Sequence, residues 1–164
     1  MTNGYLIVVI AALVIFIVAV SMLKIGKGGA ITAEPLMTDI ERQTIVYLEL
    51  TVPHCRVHAQ VSMGALLRPI KGLSQKNSAK TRNRFSQKIV DYVLEDRETG
   101  EVVAIVELDD RTHDKTKDRE RDAMTKAAGY LTIRLPANER PTRKNVGNRV
   151  VEALEKRQAA AKLI

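Results

Sequence analysis

The sequence predicts a mixed α/β domain that follows one N-terminal apolar helix. Three observations lead to this fold class: an uncharged apolar stretch near the start, four short runs rich in Val, Ile and Tyr, and helix-like segments before, between and after those runs. The predicted order behind the apolar stretch is an αβββαβ core, whose first three strands are mostly antiparallel, and then a closing helix. Because the central strands are apolar on both sides, we expect helices on both faces of a mixed sheet.

Domain boundaries follow from this order. We assign 5–23 to a transmembrane helix, 24–35 to a flexible linker, 36–137 to the α/β domain and 138–164 to a C-terminal helix and tail. The chain has 164 residues and a net charge of +7, and this length suffices for one core without disulfide staples. The single cysteine, Cys55, cannot form a disulfide within the chain, so no oxidising compartment is implied.

The N-terminal stretch has the length and composition of a membrane anchor. Residues 5–23 are apolar apart from Ser21 and carry no charge, and about 20 apolar residues cross a bilayer as a helix. A signal peptide is the alternative, although no basic residue precedes the stretch and no convincing cleavage site follows it. Lys24 and Lys27 come directly after the stretch, so the positive-inside tendency predicts a single-pass protein with its N-terminus outside and its folded domain in the cytoplasm.

The first helix of the domain is predicted to begin at Thr38. Thr38 and Glu41 have the spacing of a capping box, in which the hydroxyl caps the helix and the carboxylate reaches back to the Thr38 N–H. The helix ends before Pro53. The first strand is expected over 56–63, where Gln60 is a polar residue in mid-strand that could hold water or a metal near the acids, or face solvent at an edge.

A zinc site near the start of this strand is disfavoured. His54, Cys55 and His58 lie within five residues, but no matching second pair of ligands follows downstream. The sequence also lacks a Gly-rich nucleotide loop and a nucleophile elbow.

A basic segment is predicted as a long loop over 68–88. It carries seven cationic side chains and no acid: Arg68, Lys71, Lys76, Lys80, Arg82, Arg84 and Lys88. Long loops without structure of their own are usually functional or disordered. The charge favours a clamp for a nucleic-acid backbone, to which all but Lys88 are assigned. Anionic lipid headgroups are the alternative partner, because the domain is expected close to a membrane.

The central hairpin is predicted over Lys88–His113. Two runs rich in Val, Ile and Tyr are separated by a short polar segment that ends in Gly100, which can adopt the positive φ of a three-residue loop. With 98–100 as the loop, counting back along both strands places Val93 opposite Ile105.

Three acidic side chains are predicted to share one side of this hairpin. The same count puts Asp91 opposite Glu107, and Asp109 lies on the same side because side chains alternate between faces. Neighbouring carboxylates resist burial unless a cation or a proton compensates them. Mg²⁺ does so with one or two carboxylates and retained waters, which is the chemistry of metal-assisted phosphodiester cleavage. An acidic strand end that runs into solvent is the alternative.

The remainder of the chain completes the fold. A helix through Ala128 is expected to close at Gly129, a fourth strand to cover 130–135, and a closing helix to start at Pro141. His113 precedes the first of these helices and lies near the acids in sequence, where it could orient a water or contact phosphate, although a loop histidine often has no role.

Motifs along the chain resemble a known family. They are Leu36-Met37-Thr38 with Glu41, Gln60-Val61, Leu66-Leu67-Arg68-Pro69 with Gly72-Leu73-Ser74, Val90 to Leu94, Ile105 to His113, Arg121-Asp122 and Ala128-Gly129. In this order they resemble a bacterial family, domain of unknown function 2726, over Leu36 to Ala137. That family is grouped with restriction-endonuclease-like, PD-(D/E)xK nucleases, so the resemblance implies a restriction-endonuclease-like core.

The resemblance implies roles for particular residues. Asp91 and Glu107 would bind Mg²⁺ or Mn²⁺, together with the Leu108 carbonyl, and the Glu of the first helix can lean toward such a site. The nuclease pattern has a lysine two residues after the second acid, where this chain has Asp109. Asp109 would then bind a second ion or position water, and His113 or Lys88 would stabilise charge on the phosphoryl oxygens.

Three functions remain open from the sequence. The first is a metal-dependent nuclease at the inner membrane of a bacterium, acting on DNA rather than RNA. The second, which Asp109 favours, is an inactive nuclease-fold module that binds nucleic acid or a partner protein at the membrane. The third is a scaffold whose basic segment only contacts lipid headgroups.

Overall fold

The structure, a computed structural model, describes residues 2–25, 31–109 and 115–162. The chain divides between residues 35 and 36 into two compact units. The first contains one helix of 24 residues, α1 (Thr2–Ile25). Within the described residues, no helix was found that is both long and apolar enough to cross a membrane. The transmembrane helix predicted over 5–23 therefore has no support from this finding and stays a prediction.

The second unit contains five helices and four strands within the described residues. They follow the order α2 (Asp39–Thr51), β1 (Cys55–Ser62), α3 (Met63–Leu66), α4 (Gln75–Asn83), β2 (Ile89–Asp96), β3 (Val102–Leu108), α5 (Lys115–Ala127), β4 (Thr132–Leu135) and α6 (Arg143–Ala161). The strand order in the sheet is β1-β2-β3-β4. β1 pairs with β2 and β2 with β3 in antiparallel fashion, and β4 is parallel to β3. The predicted mixed α/β class with a mixed sheet is confirmed.

The hairpin has the predicted register at its acidic end and a different turn. Val93 pairs with Ile105, as predicted. The Asp96 N–H donates to the Glu101 carbonyl at 2.9 Å, so the predicted three-residue loop over 98–100 is wrong and the turn is one residue longer. A register shift between Leu94 and Glu95 compensates for the extra residue.

Two hydrophobic cores lie on the two faces of the sheet. The first contains Tyr92 and Val106 from the sheet with Leu48 of α2 and Val150 of α6. The second contains Val93 and Ile105 from the same two strands, which alternate with the residues of the first core. Residues of the α3 region, of the segment after α4 and of α5 complete it: Met63, Leu67, Phe85 and Met124.

Gln60 interrupts the side-chain alternation of β1. Its φ is +53°, in the left-handed region that favours glycine, and the register passes from Ala59↔Tyr92 to Val61↔Val90. Ala59 packs against the first core and Val61 against the second. Residues two apart on a regular strand would share a face, so the backbone turns over at Gln60.

The basic segment over 68–88 is not an unstructured loop as predicted. It contains α4, which Ser74 caps by accepting a hydrogen bond from the Asn77 N–H at 3.4 Å. The helix has no buried residue. Its residues lack an apolar face, so the hydrophobic periodicity that indicates a helix is missing from this part of the sequence.

Candidate active site

Asp91 and Glu107 lie side by side at one end of the hairpin. Tyr92 pairs with Val106, so the two acids are the next residues beyond this pair on their strands. Asp91 Oδ2 accepts a hydrogen bond from the backbone N–H of Leu108 at 2.7 Å, which fixes its carboxylate against β3. The Asp91 charge is also one of the causes that raise the pKa of Glu107. The sequence-based pairing therefore brings these two carboxylates into electrostatic contact.

Glu107 is the buried member of the pair. It is 3 % exposed, and burial foremost raises its pKa to about 7, with Arg121 opposing the rise and Asp91 adding to it. A carboxyl group in this setting changes charge near neutral pH. Near neutral pH, either a proton or a bound cation can therefore compensate the negative charge of Glu107.

Arg121 of α5 brings a cation against Glu107. Its Nε lies 3.4 Å from Glu107 Oε1, and its side chain is 17 % exposed. Arg121 Nη1 donates to the Ile89 carbonyl of β2 at 3.4 Å. Helix α5, which follows the hairpin, thus places a positive charge next to the pair formed by Asp91 and Glu107.

Glu41 of α2 and Gln60 of β1 contact each other through their side chains. Glu41 Oε2 accepts the Thr38 N–H at 2.6 Å, so the capping box is present. Glu41 Oε1 accepts a hydrogen bond from Gln60 Nε2 at 3.0 Å. Tyr92 Oη donates to the Glu41 carbonyl at 2.9 Å, and burial, followed by the charges of Glu41 and Asp91, raises the Tyr92 pKa. One carboxylate therefore both caps α2 and contacts the mid-strand amide.

Asp109 stands where the nuclease pattern has lysine, and it contacts an arginine. Arg134 Nη1 of β4 lies 2.5 Å from Asp109 Oδ1. The same guanidinium donates to Asp122 of α5, from Nη2 to Oδ1 at 2.8 Å and from Nε to Oδ2 at 3.2 Å. Arg134 is also the registered partner of Glu107 across the parallel strands β3 and β4.

Sequence reasoning missed Arg134 and the roles of Arg121 and Asp122. The alternation Ile133-Arg134-Leu135 could have placed Arg134 on the face of β4 opposite its two buried neighbours, but the partner strand was not deducible. The Arg121-Asp122 pair was noticed only as a sequence likeness. Three-dimensional pairing of β3 with β4 and α5 brings these residues to the acids.

Lys88 is directed to an acid on α5. Its Nζ lies 3.7 Å from Glu120 Oε2, and Arg84 Nη2 lies 3.0 Å from Glu120 Oε1. Glu120 is followed directly by Arg121, which contacts Glu107, so the end of the basic segment adjoins the acidic pair. The role predicted for Lys88, stabilising charge on the phosphoryl oxygens, stays a prediction.

Further exposed cationic side chains lie in the basic segment before Lys88. All six residues assigned to nucleic-acid binding are exposed: Arg68, Lys71, Lys76, Lys80, Arg82 and Arg84. Lys76 and Lys80 lie one helical turn apart on α4, and Arg84 is its C-cap. The segment thus forms a basic surface, which we define as these six residues.

A cavity of about 820 Å³ opens beside the site. It is lined by the start of α2 with Glu41, by Leu108 and Asp109 at the end of β3, and by the 136–141 connection. Arg134 is not among the residues that line this cavity; with Asp122 it lines a second cavity, of about 390 Å³.

Some predicted residues lie outside what the structure describes or stay untested. His113 lies outside the described residues. Leu108 contacts Asp91 through its N–H, and metal binding by its carbonyl stays a prediction. In the described parts of the chain, no group of three or more His, Cys, Asp or Glu side chains that could hold a metal ion was found.

Comparison with known proteins identifies the family. A family model described as "Protein of unknown function (DUF2726)" matches residues 33–154. The chain belongs to the DUF2726 family. The acidic pair, Arg121, Arg134 and the basic surface all lie within the part that matches DUF2726. No curated protein and no solved structure matches this chain.

The family predicted from the sequence motifs is thus confirmed. The DUF2726 match extends past the predicted end of the likeness at Ala137 into α6. The grouping with restriction-endonuclease-like nucleases is not tested by this match and stays a prediction.

Proposed function

We propose that this protein is a metal-dependent nuclease that hydrolyses phosphodiester bonds of DNA. The observation that carries the proposal is the pair of adjacent carboxylates, Asp91 and Glu107, one of them buried with its pKa raised to about 7. A buried carboxyl group of this kind is a candidate for function because burial without compensation is unfavourable. Apart from α3 and α4, which lie between β1 and β2, the order α2, β1, β2, β3, α5, β4 matches the αβββαβ order that the sequence resemblance implies, and this supports a restriction-endonuclease-like core.

The charges around the pair fit a divalent cation. Among the described residues, the carboxylate pair and the ion pairs around it comprise four acids, Asp91, Glu107, Asp109 and Asp122, and two arginines, Arg121 and Arg134. Four negative charges less two positive charges leave two negative charges when all groups are ionised. Mg²⁺ and Mn²⁺ accept carboxylate oxygens and typically need only one or two protein carboxylates. Asp91 and Glu107 would hold the ion, with the Leu108 N–H keeping the Asp91 carboxylate in place.

The reaction is a displacement at phosphorus. A water oxygen forms a new bond to phosphorus, the bond to the leaving sugar oxygen breaks, and that oxygen takes up a proton in place of the one the water loses. A bound divalent ion supplies charge stabilisation on a phosphoryl oxygen and makes the water a stronger nucleophile. The protein contributes the positions of the two carboxylates and of the arginines beside them.

DNA is the proposed substrate because the basic surface adjoins the acids. Arg84 and Lys88 contact Glu120, and the next residue, Arg121, contacts Glu107. A duplex whose phosphates lie along the basic surface could therefore reach the carboxylate pair. Cationic contacts to phosphates bind DNA through counterion release, and such contacts carry no sequence preference.

Cleavage by the full-length chain in mild detergent tests this proposal. Supercoiled plasmid, linear duplex and single-stranded DNA are incubated with wild type, Asp91→Asn and Glu107→Gln in Mg²⁺ or Mn²⁺. Glu95→Gln is the matched control, because Glu95 lies on β2 but pairs with Arg56 and His58 at the other end of the strand. We expect cleavage by wild type and the control, and none by the two site variants or with chelator. Equal cleavage by all four proteins would indicate a contaminating nuclease and end the proposal.

A second candidate is an inactive module that binds nucleic acid. Asp109 at the position of the motif lysine favours it. If no protein cuts any substrate but wild type binds DNA with a steep salt dependence, this candidate replaces the first.

We further propose that α1 attaches the domain to the cytoplasmic face of the bacterial inner membrane. Support comes from the uncharged stretch over 5–23 and from the 24-residue length of α1. After alkaline carbonate extraction of expressing cells, the full chain should stay with the membrane pellet. Release into the supernatant would contradict the anchor.

A further inference from the structure

The site lacks the lysine of the nuclease pattern, and the structure offers a cation at the same place. The inference that follows rests on the proposed nuclease function and concerns which residue binds the phosphate. Glu107 and Asp109 are two residues apart on β3 and its extension, so a side chain at 109 lies on the same side as Glu107. At this place the chain has a carboxylate, and a guanidinium lies directly against it.

Arg134 reaches this place from the neighbouring strand. It is the registered partner of Glu107, and in a parallel pair registered neighbours project to the same face of the sheet. Its Nη1 is 2.5 Å from Asp109 Oδ1. The positive charge of Arg134 thus lies next to Asp109, the position at which the nuclease pattern has its lysine.

Two aspartates hold the Arg134 guanidinium in a fixed orientation. Asp122 accepts from Nε and Nη2, and Asp109 accepts from Nη1, so each nitrogen uses one N–H. A guanidinium carries five N–H donors, so these contacts do not exhaust it. Its side chain is 26 % exposed and, together with Asp122, lines a cavity of about 390 Å³. A planar, pre-oriented guanidinium with donors left over suits a phosphate group.

Other cations fit this role less well. Lys88 Nζ lies against Glu120 of α5, whereas Arg134 is registered with Glu107 itself. Arg121 is directed to Glu107 and to the Ile89 carbonyl, and its side chain is only 17 % exposed. Burial by itself lowers the pKa of Arg134, but the hydrogen bonds that it donates to Asp122 and Asp109 outweigh burial and raise the pKa overall.

We propose that Arg134 is the catalytic cation that contacts the scissile phosphate, and that Asp109 and Asp122 are its positioning residues. In this arrangement the positive charge that the nuclease pattern has at the position of Asp109, after β3, is supplied by Arg134 of β4. Asp109 has a defined task in this arrangement, which is to hold Nη1 of Arg134 at the end of β3, next to Glu107.

The test is single-turnover DNA cleavage by the full-length chain with Mn²⁺, with thermal unfolding measured in parallel. The variants are Arg134→Gln, Arg134→Lys, Asp109→Asn and the double change Asp109→Lys with Arg134→Gln. We expect Arg134→Gln to lower the rate at saturating DNA by about 10²–10³-fold, as for other preorganised donors. Arg134→Lys should retain more activity than Arg134→Gln. The double variant returns a cation to 109 and should recover at least about tenfold over Arg134→Gln.

Rescue separates catalysis from structural support. If Arg134 only tied β3 to β4 and α5, the double variant would still lack that tie and would cut no faster than Arg134→Gln, which would overturn the proposal. Wild-type rates in Arg134→Gln would overturn it as well, while loss of cleavage in Asp91→Asn would still support the nuclease. If wild type cuts no DNA, both proposals fail together. Should Arg134→Gln not fold, an unchanged rate in Asp109→Asn would decide against the positioning role.

Discussion

Asp91 and Leu108 are joined by a hydrogen bond in which a side-chain carboxylate takes the place of a backbone carbonyl between two strands. The Leu108 N–H donates to Asp91 Oδ2 at 2.7 Å, just beyond Tyr92 and Val106, the last registered pair of β2 and β3 at this end. The same carboxylate raises the pKa of Glu107. Asp91 therefore both connects β2 to β3 through a hydrogen bond and raises the pKa of its neighbour Glu107.

Asp91→Ala should destabilise the protein more than Asp91→Asn does. Alanine removes the acceptor of the Leu108 N–H, and an unsatisfied buried donor costs about 1–3 kcal/mol of unfolding free energy. The asparagine side-chain oxygen can still accept, so we expect a smaller loss. Urea unfolding of both variants measures the difference. Equal losses would mean that the hydrogen bond contributes nothing beyond the side chain itself.

Stability should depend on pH through Glu107. Its pKa in the folded state, about 7, lies above its ordinary value of 4.5, so the folded state binds the proton more tightly. The stability it contributes is fully present below about pH 4.5 and is lost as pH rises through 7, by at most about 3 kcal/mol. Glu107→Gln cannot titrate and should lack this fall.

Two comparisons check the assignment to Glu107. Asp91→Asn removes a charge that raises the Glu107 pKa, so the fall should move to lower pH. Added Mg²⁺ or Mn²⁺ should reduce it if the ion binds the ionised pair, since binding to the folded state stabilises it. Parallel stability curves for wild type and Glu107→Gln between pH 5 and 8 would contradict the prediction.

Sequence patterns predicted the hairpin register better than its turn. Alternating apolar residues set the pairing of Val93 with Ile105, because a slip by one residue would move the whole apolar set to the wrong face. The turn is not constrained in this way. Asp96 Oδ1 accepts the backbone N–H groups of Glu98 and Thr99, and this local contact lengthens the loop by one residue.

The cations of the site were the part that the sequence did not reveal. Asp91 and Glu107 are adjacent because two neighbouring strands pair, and such a pairing can be counted along the chain. Arg134 contacts Asp109 only because β4 lies beside β3 in a parallel arrangement, and Asp122 joins them from a helix. Contacts of this type depend on tertiary packing and leave no periodic signal in the sequence.

Removing charge from α4 should reduce the salt dependence of DNA binding. Lys76→Ala, Lys80→Ala and Arg82→Ala together remove three exposed cations of the basic surface. If each of them binds a phosphate, the slope of log affinity against log salt should become shallower by about 0.9 for each cation removed. Binding to a labelled duplex at several salt concentrations, with Asp91→Asn as background to prevent cleavage, measures the slope.

A matched triple change on α6 provides the control. Arg143, Lys144 and Lys162 are exposed and lie at the ends of a helix that packs on the first core. Their replacement by alanine removes the same charge and should leave the slope unchanged. An equal effect of both triples would mean that net charge matters and the basic surface does not.

Glu120→Gln should strengthen DNA binding, the opposite of the alanine changes. Glu120 pairs with Arg84 at 3.0 Å and with Lys88 at 3.7 Å, and the hydrogen bond from Arg84 foremost, then the charge of Lys88, lowers its pKa. The amide keeps the shape of the side chain but removes the charge that holds both cations. If both then contact phosphates, the salt slope should steepen by up to about 1.8, which is 0.9 for each.

The Glu120 prediction has an internal control of the same chemistry. Glu152→Gln releases Lys156, its partner at 2.6 Å on α6, and should not change DNA binding. Adding Arg84→Ala to Glu120→Gln should remove about half of the gain, because one of the two released cations is then absent. Both glutamates are exposed, so the fold should be unaffected. Weaker or unchanged binding by Glu120→Gln would show that Arg84 and Lys88 do not face the DNA, and the path from the basic surface to the acidic pair would then have to lie elsewhere.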